Sequence, residues 1–243
     1  MNKLVILRHG QSTWNLENKF TGWIDVPLTK RGEKEARNAG VEMRSAGLNF
    51  DIAFVSVLQR AIKTLEIALN ELSPIDLPIR RDWRLNERHY GMLQGLNKKE
   101  TTELHGKDKV HKWRRSYSQR PPQMPSDHTN HPAQNPLYEN ITQLPSGESL
   151  ADTLNRVQEF WHELVVPVLL ENKSVLIVAH GNSLRALAKL IENMSEEDIA
   201  EFNIPTGVPI VYEMDAKLNL IDRYFLADKK KIEAAIQEVV QQA

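Results

Sequence analysis

Two histidines that each end an apolar run carry the strongest chemical signal in this chain of 243 residues. Leu4-Val5-Ile6-Leu7 leads directly into Arg8-His9-Gly10. That order reads as a buried strand whose carboxyl end presents a guanidinium and an imidazole. The carboxyl edge of a parallel sheet is where open α/β folds bind ligands. A histidine there can act as a nucleophile, and an adjacent arginine can hold a phosphoryl group through charge-assisted hydrogen bonds. One junction is weak evidence, because a strand can simply end in a structural histidine. Val175-Leu176-Ile177-Val178-Ala179-His180-Gly181-Asn182 repeats the arrangement. Two strands of one parallel sheet put their carboxyl ends on the same side, so His9 and His180 can approach each other. The second pair also opens a helix, whose first amides favour an anion.

Other candidates fall near the same edge. Arg60 follows Val55 through a short turn into a helix. A cation in a first helical turn is opposed by the helix dipole, so a ligand role competes there with that of a solvated arginine. Glu87, in Glu87-Arg88-His89-Tyr90-Gly91, follows a third strand candidate. Its carboxyl group can exchange a proton if burial raises its pKa, or it can simply pair with arginines, and spacing leaves both open. Lys98, Arg114 and Arg115, judged by spacing alone, read as a solvated charged face.

The elements that must position these residues alternate. Strands are expected over 3–7, 52–55, 79–83 (a short edge strand) and 174–179, with a hairpin of strands at 209–214 and 219–224. Helices are expected over 29–46 with Thr29 as N-cap, over 59–72, 98–105, 109–117 and 183–193, and from the cap Ser149 to 170. A last amphipathic helix spans 229–242, with Ile232, Ile236, Val239 and Val240 on one face. Residues 8–28 read as a long functional loop, Pro74 and Pro78 mark another, and six prolines make 121–145 irregular. Alternation of this kind predicts a three-layer α/β/α sandwich on a largely parallel sheet.

Composition narrows the function. Hydrophobic residues make up 41% and charged residues 26%, ordinary for a globular chain. A formal net charge of -1 gives no electrostatic case for nucleic acid or an acidic membrane. With no cysteine, disulfides, thiol catalysis and cysteine-bound zinc are excluded. The apolar runs are too short to cross a bilayer and the chain opens straight into a strand, so a cytoplasmic protein is expected. There is no Gly-Lys-Ser/Thr phosphate loop, dinucleotide-binding fingerprint or His-Glu-x-x-His. His128 and His131 lie in the proline-rich loop and make no metal motif, and neither Ser12 nor Ser183 sits in Gly-x-Ser-x-Gly.

Longer stretches are more specific. Leu7-Arg8-His9-Gly10-Gln11-Ser12-Thr13-Trp14-Asn15, Asn18-Lys19-Phe20-Thr21-Gly22-Trp23, Glu87 to Gly91, Leu93 to Lys98, Trp113-Arg114-Arg115, Ala179 to Arg185 and Asn203 to Pro209 are spread along nearly the whole chain. Together they resemble the cofactor-dependent phosphoglycerate mutase branch of the histidine phosphatase superfamily. The resemblance implies a single domain over 1–243 with a mostly parallel six-stranded sheet, an inserted active-site roof at about 86–146 and a C-terminal tail at about 227–243. It implies interconversion of 2-phosphoglycerate and 3-phosphoglycerate in glycolysis and gluconeogenesis, with 2,3-bisphosphoglycerate as phosphoryl primer and no metal. His9 would be the phosphoryl acceptor and Glu87 the proton donor and acceptor, with Arg8, Arg60 and His180 stabilising the group in transfer. Substrate binding is implied for Gly10, Gln11, Ser12, Thr13, Trp14 and Asn15, and for Thr21 and Gly22. It is implied likewise for Arg88, His89, Tyr90 and Lys98, and for Arg114, Arg115, Gly181 and Asn182, besides the catalytic residues. The family implies a homodimer or homotetramer.

The sequence departs from this pattern in the 121–145 insert, and Ser146-Gly147-Glu148 is more similar to phosphatase relatives. Two other readings therefore stand beside the mutase. One is a phosphatase of the same superfamily acting on a small phosphorylated metabolite, and the other a non-catalytic phospholigand-binding protein.

Overall fold

In the computed structural model, which describes residues 2–72 and 77–241, strands and helices alternate around one sheet. The chain runs through β1 (Asn2–Arg8), α1 (Thr13–Leu16), α2 (Lys30–Ser45), β2 (Ile52–Val55), α3 (Gln59–Glu71) and β3 (Ile79–Arg81). It continues through α4 (Lys98–His105), α5 (Lys107–Arg115), α6 (Leu150–Phe160) and α7 (Val166–Leu170). The remaining elements are β4 (Val175–Ala179), α8 (Gly181–Glu192), α9 (Glu196–Glu201), β5 (Pro209–Met214), β6 (Leu220–Phe225) and α10 (Lys229–Gln241). The loop marker Pro74 and the helix end at Gln242 lie outside the described residues.

The six strands follow the order β3-β2-β4-β1-β5-β6. β1, β2, β3 and β4 are mutually parallel, while β5 is antiparallel to both β1 and β6. Alternation along β1 shows why the fold has three layers. Leu4 and Ile6 join one buried cluster with Phe54, Phe160, Ile177 and Leu187. Val5 and Leu7 join the other with Met43, Ala53, Leu65 and Val178. A strand buried on both faces reads as the continuous apolar run seen in the sequence.

Local chemistry sets the ends of the helices. Thr29 caps α2 by accepting from the Gly32 N–H. Ser149 and Asp152 form a capping box at the start of α6. The single helix expected over 149–170 is interrupted by a π-helical turn at Trp161–Val165. That turn ends two residues before Pro167, which has no N–H to give the preceding turn. Two helices escape sequence reading: α1, a single turn inside the expected loop, and α9. Within 121–145 only the 3-10 turns Pro132–Gln134 and Pro136–Tyr138 break the irregular path.

Candidate active site

Register brings the two histidines together. Arg8 pairs with Ala179 across β1 and β4, and the His9 N–H donates to the Ala179 carbonyl at 3.0 Å. The imidazole centroids lie 4.9 Å apart at an interplanar angle of 61°, and both rings are buried. His9 Nδ1 is 2.7 Å from the Gly10 carbonyl. A carbonyl only accepts, so the ring proton sits on Nδ1 and Nε2 keeps its lone pair. Burial, reinforced by Arg60 and Arg8, holds His9 well below the usual histidine range. It is a neutral nucleophile at neutral pH. Gly10 is required behind it, because a Cβ there would come within 2.2 Å of the Gly32 carbonyl oxygen.

Two buried arginines flank the pair. Arg8 donates through Nη1 to the Ile204 carbonyl at 2.7 Å, while its buried Nε has no partner among the described residues. Arg60, from the first turn of α3, donates to the carbonyls of Ile24 at 2.9 Å and Gly22 at 2.8 Å. Burial lowers it to about 10, so it stays cationic at neutral pH.

Glu87 enters from the loop after β3. Its Oε1 accepts from the backbone N–H of Arg88 at 2.8 Å and of Asn182 at 3.0 Å. Its Oε2 lies 3.6 Å from where a Cβ on Gly181 would stand, which sets the carboxylate against the start of α8, next to His180 in the chain. A buried pair, Arg156 on α6 and Glu148 just before its cap, fixes the loop. Arg156 Nε and Nη2 meet Glu148 Oε1 and Oε2 at 2.7 and 2.9 Å. Arg156 also donates to the carbonyls of Arg84, Asn86 and Glu87. Glu148 Oε2 accepts the His89 N–H at 2.7 Å. Glu148 of the Ser-Gly-Glu segment and Arg156 thus together hold both sides of Glu87.

A pocket opens from this centre, walled by Arg8, Asn15, Lys19, Thr21, Gly22, Glu87, Tyr90, Lys98, Arg114, Arg115, Gly181, Asn182, Arg185 and Asn203. Six of those side chains are cationic and only Glu87 is acidic. Burial and mutual repulsion lower Lys98 to about 7, Arg114 to about 10 and Arg185 to about 9. Cations crowded to this degree are arranged for a polyanion. His9 and His180 adjoin the pocket through their chain neighbours Arg8 and Gly181, and Arg60 through its bond to Gly22.

The remaining candidates stand behind the wall. Ser12 caps α1 and, with Asn15, closes a capping box that orients Asn15; Thr13 and Trp14 belong to the same turn. Gln11 donates its N–H to Glu35 Oε2 at 2.8 Å. Arg88 is fully buried, donates to the Arg114 carbonyl at 2.8 Å and lies 4.6 Å from the Tyr90 ring centroid. His89 faces away from the wall, its ring 5.9 Å from Trp23 and 6.4 Å from His131. Sequence reasoning overlooked Lys19, Arg185 and Asn203. Arg185 stands one helical turn after Gly181, a spacing that puts both on one face of α8. Asn203 sits in a loop with no periodic signal. Among the described residues no group of His, Asp or Glu could hold a metal ion.

Comparison with known proteins agrees with this geometry. The model of the histidine phosphatase superfamily (branch 1) matches residues 4–131 and 126–226. The chain is 50% identical over 244 residues to a 2,3-bisphosphoglycerate-dependent phosphoglycerate mutase of Hydrogenobaculum sp. (strain Y04AAS1), covering 100% of this chain and 99% of that protein. Among solved structures, Bacillus stearothermophilus YhfR superposes with a TM-score of 0.69 at 22% identity, over 91% of this chain and 95% of that one. A mycobacterial glucosyl-3-phosphoglycerate phosphatase gives 0.67 at 22% identity, over 88% and 93%. At that identity the solved structures establish the fold alone.

Proposed function

The chain belongs to the histidine phosphatase superfamily, and from that premise we propose that it interconverts 2-phosphoglycerate and 3-phosphoglycerate through a phosphohistidine. The observation that carries this reading is the neutral, buried His9 beside one carboxylate and a pocket of six cations. The relative matched end to end is a mutase of this kind.

His9 Nε2 attacks phosphorus while the bond from phosphorus to the departing oxygen breaks, and Glu87 gives that oxygen its proton. In the second half, Glu87 takes the proton of the other hydroxyl as its oxygen attacks the phosphohistidine, and His9 leaves neutral. Arg8, Arg60 and His180 meet charge on the group in transfer. Lys98, Arg114, Arg115 and Tyr90 hold the far anionic groups, which keeps the acceptor in place. Bound 2,3-bisphosphoglycerate supplies the first phosphoryl group. The unpartnered Arg8 Nε and the excess of cations fit two phosphates and a carboxylate.

Supporting features complete the reading. The whole chain acts as one domain, with 86–146 as its roof and 227–243 as its tail. Among the described residues no helix is long and apolar enough to cross a membrane, and we place the enzyme in the cytoplasm as a homodimer or homotetramer.

The test is to incubate the protein with 2,3-bisphosphoglycerate, look for phosphate on His9, then add 3-phosphoglycerate in the presence of a chelator. The expected product is 2-phosphoglycerate, lost in His9→Ala. Inorganic phosphate as main product would make the protein a phosphatase. Absence of phosphohistidine would leave a binding protein.

A further inference from the structure

Ser56, just after β2, and Asn86, just before Glu87, take no part in the reaction as described, yet both are fully buried. Their hydrogen bonds can be followed proton by proton. The Val57 N–H donates to Asn86 Oδ1 at 3.3 Å, and Asn86 Nδ2 donates to the Tyr138 hydroxyl at 3.0 Å, which fixes the amide's orientation. Ser56 Oγ lies 2.8 Å from that same Oδ1. An amide oxygen only accepts, so the one hydroxyl proton of Ser56 is committed there. The Leu58 N–H donates to Ser56 Oγ at 3.2 Å, taking one of its lone pairs. His180 Nε2, 2.8 Å from Oγ, meets the other lone pair and must therefore carry the ring proton. His180 Nδ1 keeps its lone pair: it is buried and makes no hydrogen bond of good geometry among the described residues, with the Ser183 N–H of the capping box at the head of α8 turned toward the ring.

We infer that Ser56 and Asn86 are positioning residues that lock His180 in its Nε2–H tautomer, so that Nδ1 gains a proton only when a phosphoryl group arrives. This inference rests on the phosphoryl-transfer reading of the site. A lone pair opposite an ionised phosphoryl oxygen is repulsive, whereas a protonated Nδ1 makes a charge-assisted hydrogen bond. In the free protein the ring stays neutral. Burial disfavours its charged form, and Arg60 on α3, His9 just after β1, Arg156 on α6 and Arg8 at the end of β1 add to that. Glu87, whose Oε2 lies beside Gly181, is the carboxylate on the opposing side. An incoming dianion reverses the local field. One N–H bond forms at Nδ1, its proton coming from water or from the ligand's own acidic oxygen, and Nε2 keeps its bond to Ser56. The clamp is thus uncharged when empty and cationic when loaded.

Nitrogen-15 NMR of histidine-labelled, full-length protein tests this, with His180 assigned from the signals missing in His180→Gln. The free protein at neutral pH should show Nε2 protonated and Nδ1 not. Saturating orthovanadate should protonate both ring nitrogens. Ser56→Ala should mix the two tautomers in the free protein and lower kcat about tenfold, the rate equivalent of one hydrogen bond, with KM little changed. A neutral Nδ1–H ring in the free wild-type protein would overturn the inference, as would an unprotonated Nδ1 with vanadate bound or an unaltered tautomer in Ser56→Ala. The free-protein spectrum needs no ligand, and no variant beyond the His180→Gln used for assignment. Failure of the proposed function reads out elsewhere, as missing phosphohistidine at His9.

Discussion

The backbone N–H of Asn182 donates to Glu87 Oε1 at 3.0 Å, tying the carboxylate to the helix that begins just after His180. The Arg88 N–H occupies the same oxygen at 2.8 Å. Oε1 is therefore spent on position, and Oε2 is left to exchange a proton.

Glu87→Gln keeps an amide oxygen for both N–H donors but cannot pass a proton. The substitution should lower kcat by about 10²–10⁴-fold, the usual worth of a positioned acid-base group, while KM moves by no more than about threefold. Steady-state kinetics in both directions would measure it. Wild-type turnover in Glu87→Gln would refute the acid-base role.

Burial together with the charges of Arg60 and Arg8 depresses the His9 pKa well below the usual value. A histidine shifted this way stays neutral as pH falls through its ordinary range, so the lone pair on Nε2 survives. An unshifted ring, with pKa about 6.5, would be some tenfold depleted in its neutral form by about pH 5.5. An NMR titration should show the His9 ring still neutral there. A midpoint near the ordinary value would contradict the electrostatic argument.

Arg156 joins catalysis to stability. Replacing it with methionine leaves Glu148 buried without its partner and removes donors from the carbonyls of Arg84, Asn86 and Glu87. Breaking one side of a buried pair costs about 3–5 kcal/mol, which in a chain of this size is a fall in Tm of about 10 °C. Because the Glu87 backbone loses its anchor, kcat should fall too. Replacing both partners, Glu148→Gln with Arg156→Met, should recover part of the lost stability. Thermal unfolding of the wild-type protein and the two variants checks this, and an unchanged Tm in Arg156→Met would be incompatible with it.

Much of the scaffold was legible because burial and capping write themselves into short runs. Continuous apolar segments gave β2 and β4, Thr29 gave the start of α2, and Asn97, whose side chain accepts from Lys99 and Glu100, stands where α4 was expected to begin. The strand-end pairs Arg8-His9 and His180-Gly181 also pointed to one edge, since parallel strands leave no other arrangement. What stayed hidden depends on tertiary contact. α1 has four residues, too few for periodicity. Ser56 and Asn86 gain meaning only against His180, and Asn203 only from the return of its loop to the pocket. Arg114 and Arg115 resembled a solvated charge run until α5 laid them against Tyr90. His89 shows the converse, since adjacency to Glu87 in sequence did not carry its ring into the pocket.

Lys98 gives the site its pH dependence. Burial, with Arg114 and Arg8 adding repulsion, lowers it to about 7, so in the free enzyme its charge is present below that pH and lost above it. An anionic ligand restores the charge, and binding above about pH 7 must therefore draw a proton from solvent. KM for 3-phosphoglycerate should rise as pH climbs from about 7 to about 8.5, by at most about tenfold per pH unit. Lys98→Arg keeps a charge that does not titrate in this range, and its KM should stay nearly level across the same interval. Lys98→Gln should bind weakly throughout and lose the slope, because no proton is taken up at that position. If Lys98→Gln kept the wild-type slope, the titrating group would have to be another member of the cationic wall, and the assignment to Lys98 would fail.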